Sequence, residues 1–159
     1  MDLIINTEEE MFALGKVLAA VLEADDVVYL IGNLGVGKTT LVRGIARAMG
    51  YEGRVTSPTF TLMNIYNCDP PLYHFDFYRL ENGDTCDLGL EDYLEREGIS
   101  LIEWPLPDDA SLPAEAMLVN ISLQSDDYEQ ARVVHIAARG NRYQEKIEGL
   151  MQLVHSGHR

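Results

Sequence analysis

Apolar positions along the chain switch between strand-like and helix-like spacing, and this pattern predicts a mixed α/β protein. Residues 27–31 are an unbroken apolar run, which is typical of a parallel strand covered on both faces. Helical spacing follows in Leu41, Val42, Ile45, Ala48 and Met49. Gly50 stands where that helix is expected to end.

The N-terminal part predicts a short strand and a helix. Residues 3–5 form the strand, and Thr7 with Glu10 has the spacing of a capping box, with Thr7 as the N-cap. An apolar stripe as far as Glu23 then predicts a packing helix. The stripe consists of Met11, Leu14, Leu18, Val21 and Leu22.

Two strand-like runs, residues 62–66 and 72–80, flank a turn at 67–71 and predict a hairpin. The second run alternates along its length. Its predicted buried face carries Tyr73, Phe75 and Phe77, and its predicted polar face carries His74, Asp76 and Tyr78. We therefore expect this strand to lie toward the periphery of the sheet.

The remaining pattern predicts a short acidic helix near residues 88–94, then a strand from 99 that reaches Glu103 and stops at Pro105. A loop at 107–113 precedes two strands, 117–123 and 132–138, with a turn at 126–127. A final amphipathic helix is marked by Tyr143, Ile147, Leu150, Met151 and Val154.

Neither a linker nor a repeat interrupts the chain, so we predict a single domain over residues 1–159. Residues 141–159 form its C-terminal helix and tail, which we interpret as a packing element rather than an interaction surface. With 159 residues, 47% of them hydrophobic, the chain is long and apolar enough to build a core.

The formal net charge of −14 argues against direct, stable binding of a nucleic acid, because phosphates are neutralised by Lys and Arg. No apolar run approaches the roughly 20 residues of a membrane span. The start of the sequence lacks the basic residues of a signal peptide. Cys68 and Cys86 lack metal-like or redox spacing, so we expect free thiols in a cytoplasmic protein.

Residues 32–39, GNLGVGKT, match the phosphate-binding loop pattern G-x-x-x-x-G-K-[ST]. A predicted strand precedes the match and a predicted helix follows it, as this motif requires. Glycines let backbone N–H groups turn toward phosphates, Lys38 can reach the β- and γ-phosphates, and the Thr39 hydroxyl can hold Mg²⁺. The sequence therefore predicts a site for a nucleoside triphosphate.

A P-loop ATPase also needs an acid near Mg²⁺, on a strand beside the loop strand, and two candidates exist. The run before Glu103 is almost continuously apolar, like a central strand, whereas the run before Asp76 alternates. We assign Glu103 to the metal through a bound water, and Asp76 to the attacking water. Asp76 as a partner of Arg79 or a turn acid is the alternative.

The hydroxyl-rich segment 56–61, TSPTFT, follows the loop helix and is either a γ-phosphate sensor or an ordinary turn. Neither the guanine-reading motif N-K-x-D nor an arginine-rich lid is present, so we expect ATP rather than GTP. Arg43, Arg47, Arg54 and Arg79 are scattered, and little chain remains for a second substrate. These features favour an ATPase that serves a partner. A small-molecule kinase and a nucleotide-gated binding module are the alternatives.

Five segments resemble the TsaE family, ATPases required to make threonylcarbamoyladenosine in tRNA. They are residues 32–40, 56–61 (TSPTFT), 73–80 (YHFDFYRL), 88–93 (LGLEDY) and 101–105 (LIEWP). Their order and spacing follow the family from about residue 7 to residue 140.

The resemblance implies a P-loop NTPase-like, three-layer α/β domain with a mixed parallel and antiparallel sheet. It implies ATP binding by the loop residues Asn33, Leu34, Gly35, Val36, Gly37, Lys38, Thr39 and Thr40. It also implies that Thr39 and Glu103 serve Mg²⁺, that Asp76 and Lys38 support hydrolysis, and that Thr7 lies near the base. TsaD and TsaB are the implied partners. Asn33 departs from the family, which usually has aspartate there.

Overall fold

The computed structural model describes residues 1–33, 35–58, 61–77, 92–93, 97–103, 112–125 and 131–157. Seven strands lie in these ranges: β1 (Asp2–Ile5), β2 (Val27–Ile31), β3 (Met63–Tyr66), β4 (Leu72–Asp76), β5 (Ile99–Glu103), β6 (Ala116–Leu123) and β7 (Arg132–Arg139). Three helices lie wholly within the same ranges: α1 (Glu8–Ala19), α2 (Lys38–Ala48) and α3 (Asn141–Ser156).

The strands form one mixed sheet in the order β1-β7-β6-β2-β5-β4-β3. Strand β2 lies at its centre, parallel to both β5 and β6, and β4 continues the parallel part beside β5. The pairs β3–β4, β6–β7 and β1–β7 are antiparallel. The predicted mixed α/β fold and the β3–β4 hairpin are therefore confirmed.

Strand β2 is buried on both faces, as its unbroken apolar run predicts. Val28 and Leu30 belong to the core formed with the three helices. Val27 and Tyr29 point to the opposite face, where an aromatic cluster includes Tyr73, Phe75 and Phe77. The loop that follows β2 thus leaves a strand that is enclosed on both faces.

Helices α1 and α2 touch at their backbones. A Cβ atom added to Gly44 would lie 2.1 Å from the Phe12 carbonyl oxygen, and one added to Gly15 would lie 2.3 Å from the Leu41 carbonyl oxygen. Glycine is required at both positions because any side chain would push the helices apart. This contact fixes the start of α1 beside the start of α2.

Thr7 is the N-cap of α1, as predicted, and its hydroxyl accepts a hydrogen bond from the Glu10 amide at 3.1 Å. The reciprocal bond differs from the expected capping box. The Glu10 carboxylate accepts from the amide of Asn6 at 2.7 Å, one residue before the cap. The Thr7 side chain thus satisfies one amide group in the first turn of α1, and the Glu10 side chain satisfies the amide of Asn6.

An ion cluster attaches α3 to the turn before β2. Asp26 is fully buried, and its carboxylate accepts from Arg142 Nε at 2.8 Å and from the Glu23 amide at 2.8 Å. Lys146 Nζ lies 3.0 Å from the same carboxylate. The Tyr143 hydroxyl also accepts from the Val27 amide at 2.9 Å. These contacts agree with a packing role for α3.

Several element boundaries differ from the predictions. Helix α1 ends at Ala19, so Val21 and Leu22 lie in the following turn, although Leu22 is still buried. Ala48 is exposed, whereas Gly44 and Ala46 of α2 are buried. Met151 on α3 is also exposed rather than part of the packed stripe.

Strand β4 lacks the exposed polar face that its alternation predicts, since all five of its residues are buried. The hairpin strand β3 covers its edge, and His74 and Asp76 are enclosed by the sheet. Most of the predicted acidic helix (88–94), most of the loop at 107–113, the turn at 126–127 and Cys86 lie outside the described residues.

Candidate functional site

The glycine-rich loop joins the carboxyl end of β2 to the first residue of α2. Gly35 and Gly37 have φ angles of +80° and +117°, a backbone region that side chains with a Cβ atom rarely adopt. At Gly32 an added Cβ would lie 2.6 Å from the Ile121 carbonyl oxygen of β6. The spacing of the motif's glycines is thus explained by local geometry.

The N-terminus of α2 is suited to an anion. Its N-cap is Gly37, which has no side chain to cap the helix, and its first turn contains no acidic residue. Helix α1 differs, because Glu8, Glu9 and Glu10 occupy its first turn and Thr7 caps it. The amide groups and positive dipole end of α2 are therefore left to attract a negatively charged ligand.

Lys38 begins α2, and its side chain is only 5% exposed. Its Nζ donates to the Gly32 carbonyl oxygen at 2.5 Å and lies 3.9 Å from Glu103 Oε1. Burial lowers the Lys38 pKa, and the carboxylates of Glu103 and Asp76 oppose that shift. A buried ammonium group beside the loop can add its positive charge to that of the helix end.

An inner cleft of about 260 Å³ brings together most of the residues that the sequence singles out. Asp76 and Glu103 are directly paired in the register of β4 and β5, so both carboxylates arrive at the same edge of the sheet. The cleft is lined by Gly35, Gly37, Lys38, Thr39, Thr40, Ser57, Asp76 and Glu103. The predicted position of Glu103, on the strand beside the loop strand, is confirmed.

Glu103 is 2% exposed and its carboxylate contacts a fully buried histidine. Glu103 Oε2 lies 2.9 Å from His74 Nε2, and His74 Nδ1 lies 3.0 Å from the Tyr66 hydroxyl. The Tyr66 hydroxyl is also 3.2 Å from the Thr56 carbonyl oxygen. Burial raises the Tyr66 pKa, so this hydroxyl stays neutral at ordinary pH.

Asp76 is 1% exposed and has a different neighbour in the hydroxyl-rich segment. Its Oδ2 lies 3.5 Å from Ser57 Oγ, at the outer limit of a hydrogen bond, and its amide donates to the Leu62 carbonyl oxygen at 3.0 Å. Ser57 therefore belongs to the inner cleft. Thr59 lies outside the described residues.

The donors in the inner cleft fit Mg²⁺ of a nucleotide complex. Mg²⁺ takes oxygen ligands and is usually bound by one or two carboxylates together with substrate phosphates. Glu103 supplies a buried carboxylate and Thr39 supplies a hydroxyl, and both line the same cleft. Among the described residues, no group of three or more His, Cys, Asp or Glu side chains could hold a metal ion by itself.

An outer cleft of about 380 Å³ lies between the start of α1 and the loop, and it shares Gly35, Gly37 and Thr40 with the inner cleft. Its lining is Ile5, Asn6, Thr7, Glu8, Met11, Gly35, Val36, Gly37, Thr40 and Arg132. The structure thus places Thr7 beside the loop. Arg132 of β7 donates from Nε to the Val36 carbonyl oxygen at 3.2 Å.

Asn33 lines neither of these two clefts. It is exposed and lines a third cleft, with Asn120 and Gln124 from the end of β6. Its carbonyl oxygen accepts from the Val36 amide at 3.4 Å, closing the turn of the loop. Leu34 lies outside the described residues.

Sequence reasoning missed His74 and Arg132 as site residues. A signal existed for His74, which shares a predicted strand face with Asp76, and two residues on one face are neighbours. Arg132 carried no comparable signal, because it belongs to a strand distant in sequence that the fold brings beside the loop.

The central parallel strands, the loop at the end of β2 and the two acids at the same edge define a P-loop NTPase-like α/β protein. No helix in the described ranges has the length and apolar character needed to cross a membrane. A family model described as threonylcarbamoyl adenosine biosynthesis protein TsaE matches residues 5–134. The chain belongs to this family, which acts in tRNA threonylcarbamoyladenosine biosynthesis.

Relatives and a solved structure agree with this assignment. A tRNA threonylcarbamoyladenosine biosynthesis protein TsaE from Bacillus subtilis is 41% identical over 89% of this chain and 88% of its own length. Its counterpart from Haemophilus influenzae is 40% identical over 86% and 89%. The crystal structure of Bacillus subtilis YdiB superposes with a TM-score of 0.82 at 35% identity, covering 96% of this chain and 94% of that one.

Proposed function

We propose that the protein is a Mg²⁺-dependent ATPase that supports TsaD- and TsaB-like partners in threonylcarbamoyladenosine modification of tRNA. The observation that carries the proposal is the convergence of Lys38, Thr39, Asp76 and Glu103 on one cleft at the start of α2. These residues supply a cation, a hydroxyl and two carboxylates around the place where a terminal phosphate would bind.

The residues of the inner cleft have distinct roles in the proposed reaction. The loop amides and Lys38 hold the β- and γ-phosphates by charge-assisted hydrogen bonds. Thr39 and Glu103 would hold Mg²⁺, which would neutralise negative charge on the phosphates. Asp76 orients the attacking water and accepts its proton, because its carboxylate is enclosed in the cleft beside Ser57.

The outer cleft suits the base and ribose of ATP, since it opens from the same loop. Thr7 and the start of α1 form one side, and Arg132 forms part of the other. The family resemblance implies that Thr7 lies near the base, and we add Arg132 as a second residue of this part of the site. The hydrogen bond from Arg132 to the Val36 carbonyl oxygen also attaches β7 to the loop.

The proposed output is a cycle of ATP binding and hydrolysis that acts on partner proteins. The relatives carry the name of a tRNA modification protein, yet this chain has a net charge of −14 and is poorly suited to hold tRNA itself. Contact with tRNA would therefore run through TsaD and TsaB, and we propose a cytoplasmic site of action.

An ATPase assay with and without TsaD and TsaB, run beside a tRNA modification assay, tests the proposal. Asp76→Asn should leave ATP binding within about threefold and lower hydrolysis in the complex by 100-fold or more, within the range for a lost general base. Glu145→Gln, an exposed acid on α3, is the matched control and should change neither value.

Three outcomes would contradict the proposal. Unchanged hydrolysis in the Asp76→Asn complex would favour a nucleotide-gated binding module. Rapid phosphate transfer to a nucleoside or sugar hydroxyl would favour a kinase. Equal hydrolysis with and without TsaD and TsaB would remove the reason to invoke these partners.

A further inference from the structure

Glu103 is a carboxylate in a nearly dry position, and such a group needs a close partner. Lys38 is a nearby cation, but its Nζ is 3.9 Å from Glu103 Oε1 and makes a much shorter contact with the Gly32 carbonyl oxygen. His74 is closer, with Nε2 at 2.9 Å from Oε2. The orientation of Glu103 therefore depends more on His74 than on Lys38.

The fold gives His74 a fixed position from which to make this contact. Its side chain is fully buried on β4, and β4 pairs in parallel with β5 through Leu101 opposite His74 and Glu103 opposite Asp76. The second ring nitrogen meets the Tyr66 hydroxyl at 3.0 Å. Both ring nitrogens are thus engaged, which fixes the ring plane as well as its place.

We propose that His74 is a positioning residue that binds Oε2 of Glu103 and thereby turns Oε1 toward the inner cleft. A carboxylate only accepts hydrogen bonds, so His74 donates from Nε2. Outer partners of this kind orient the groups that serve a metal and tune their affinity. The inference rests on the proposed function of Glu103 toward Mg²⁺.

The contact also connects Glu103 to the hydroxyl-rich segment. Tyr66 lies between His74 and the Thr56 carbonyl oxygen, and the next residue, Ser57, lines the inner cleft beside Asp76. A displacement of this segment would therefore change the position of Glu103 through Tyr66 and His74. Tyr66 thus acts with His74 in positioning Glu103.

Two substitutions at position 74 distinguish the contact made by Nε2 from the contact made by Nδ1. In His74→Gln the side-chain amide nitrogen can take the place of Nε2 and still donate to Glu103. In His74→Asn the shorter amide takes the place of Nδ1 and can reach only Tyr66. The affinity for ADP, measured by calorimetry with Mg²⁺ and again with EDTA, reports the contribution of the metal without requiring catalysis.

We expect His74→Asn to raise the Mg²⁺ concentration required for tight ADP binding by about tenfold or more. ADP affinity in EDTA should stay within about twofold, and His74→Gln should stay within about threefold on both measures. Tyr66→Phe, which keeps the ring against Tyr51, should give an intermediate loss. Equal values for Asn, Gln and wild type, or equal losses in Asn and Gln, would overturn the inference.

Glu103→Gln distinguishes this inference from the function on which it rests. If Glu103→Gln leaves the Mg²⁺ dependence unchanged, the metal role of Glu103 is wrong. If the Mg²⁺ dependence of ADP binding is lost in Glu103→Gln but kept in His74→Asn, only the role of His74 is wrong.

Thermal melting monitors the fold of each variant. Should His74→Asn be too unstable to assay, ¹⁵N spectra of the wild-type histidines replace it. The Nε2–H signal of His74 is then expected to shift when Mg²⁺ is added to the ADP complex, and an unmoved signal would overturn the inference.

Discussion

Lys38 combines two properties that seldom occur together, a formal positive charge and a side chain that is 5% exposed. Burial lowers its pKa, so the fold holds the charged form at some expense of stability. Binding of a negatively charged ligand would explain why a lysine occupies this buried position. Its role can therefore be separated from its contribution to the fold.

We expect Lys38→Met to weaken ADP binding roughly tenfold to a hundredfold, because one charge-assisted hydrogen bond contributes about 1.5–3 kcal/mol. The melting temperature without nucleotide should change little, since the desolvation cost of the buried charge and its contacts with Gly32 and Glu103 are removed together. Calorimetry and thermal melting check the two effects. Lys16→Met, at an exposed position on α1, is the control, and a stability loss in Lys38→Met with unchanged affinity would contradict the argument.

At this scale the sequence predicted the acids and the lysine because their places follow from strand order. Glu103 follows an apolar run and Asp76 lies in an alternating strand-like run, and the carboxyl ends of parallel strands meet at one edge. The enclosure of His74 could not be predicted, because alternation does not show whether the polar face of a strand meets water or a polar cleft. Asn33 and Lys38 line different clefts, which the place of Asn33 in the motif does not reveal.

The contact between α1 and α2 is an element-scale feature with a direct test. Gly44→Ala would place a methyl group 2.1 Å from the Phe12 carbonyl oxygen, so the helices must separate. We expect a loss of about 2–3 kcal/mol in the free energy of unfolding, the upper range for overpacking. Nucleotide affinity should fall as well, because the start of α1 lines the outer cleft.

Gly149→Ala on α3 is the matched control for this prediction. Its added methyl group would lie 3.8 Å from Val21 Cγ1, an ordinary contact. Alanine is favoured over glycine in a helix by up to about 1 kcal/mol, so this variant should be neutral or slightly stabilised. Urea unfolding of the two variants checks the contrast, and equal stabilities would mean that α1 and α2 are not tightly packed.

The ion cluster that attaches α3 gives a second element-scale prediction. Asp26→Asn removes a fully buried charge from two cations, Arg142 and Lys146. We expect a loss of about 2 kcal/mol, less than for a wholly buried pair because Arg142 is partly exposed. Asp25→Asn should be neutral, since Asp25 is exposed at φ +73°, a conformation that asparagine tolerates well. A comparable loss in both variants would contradict the role of burial.

Helix and strand periodicity predicted the type of every strand and helix described, but not their ends. The apolar stripe of α1 runs past Ala19 into a turn, since Leu22 can be buried from either conformation. The buried residues of α2 include Gly44 and Ala46, small residues that a search for large apolar side chains overlooks. Close packing of helices is therefore the information that periodicity lacks.

For the molecule as a whole, the net charge of −14 is the dominant electrostatic fact. Excess like charge destabilises a compact state through self-repulsion, and salt screens it over a Debye length of about 10 Å at 0.1 M. We expect the melting temperature to rise by several degrees between about 0.02 and 0.5 M NaCl. A fall would show that ion pairs such as Asp26–Arg142 outweigh the repulsion.

The order of strands has a consequence for folding during synthesis. Val27 of the loop strand pairs with Ser100, Val28 pairs with Met117, and Asp2 pairs with His135. Such distant pairings slow folding, because a long stretch of chain must be closed before they form. During synthesis, the loop strand leaves the ribosome long before its neighbours exist. A nascent chain carries the complete glycine motif early, yet gains a nucleotide-binding shape only after most of the remaining chain has emerged.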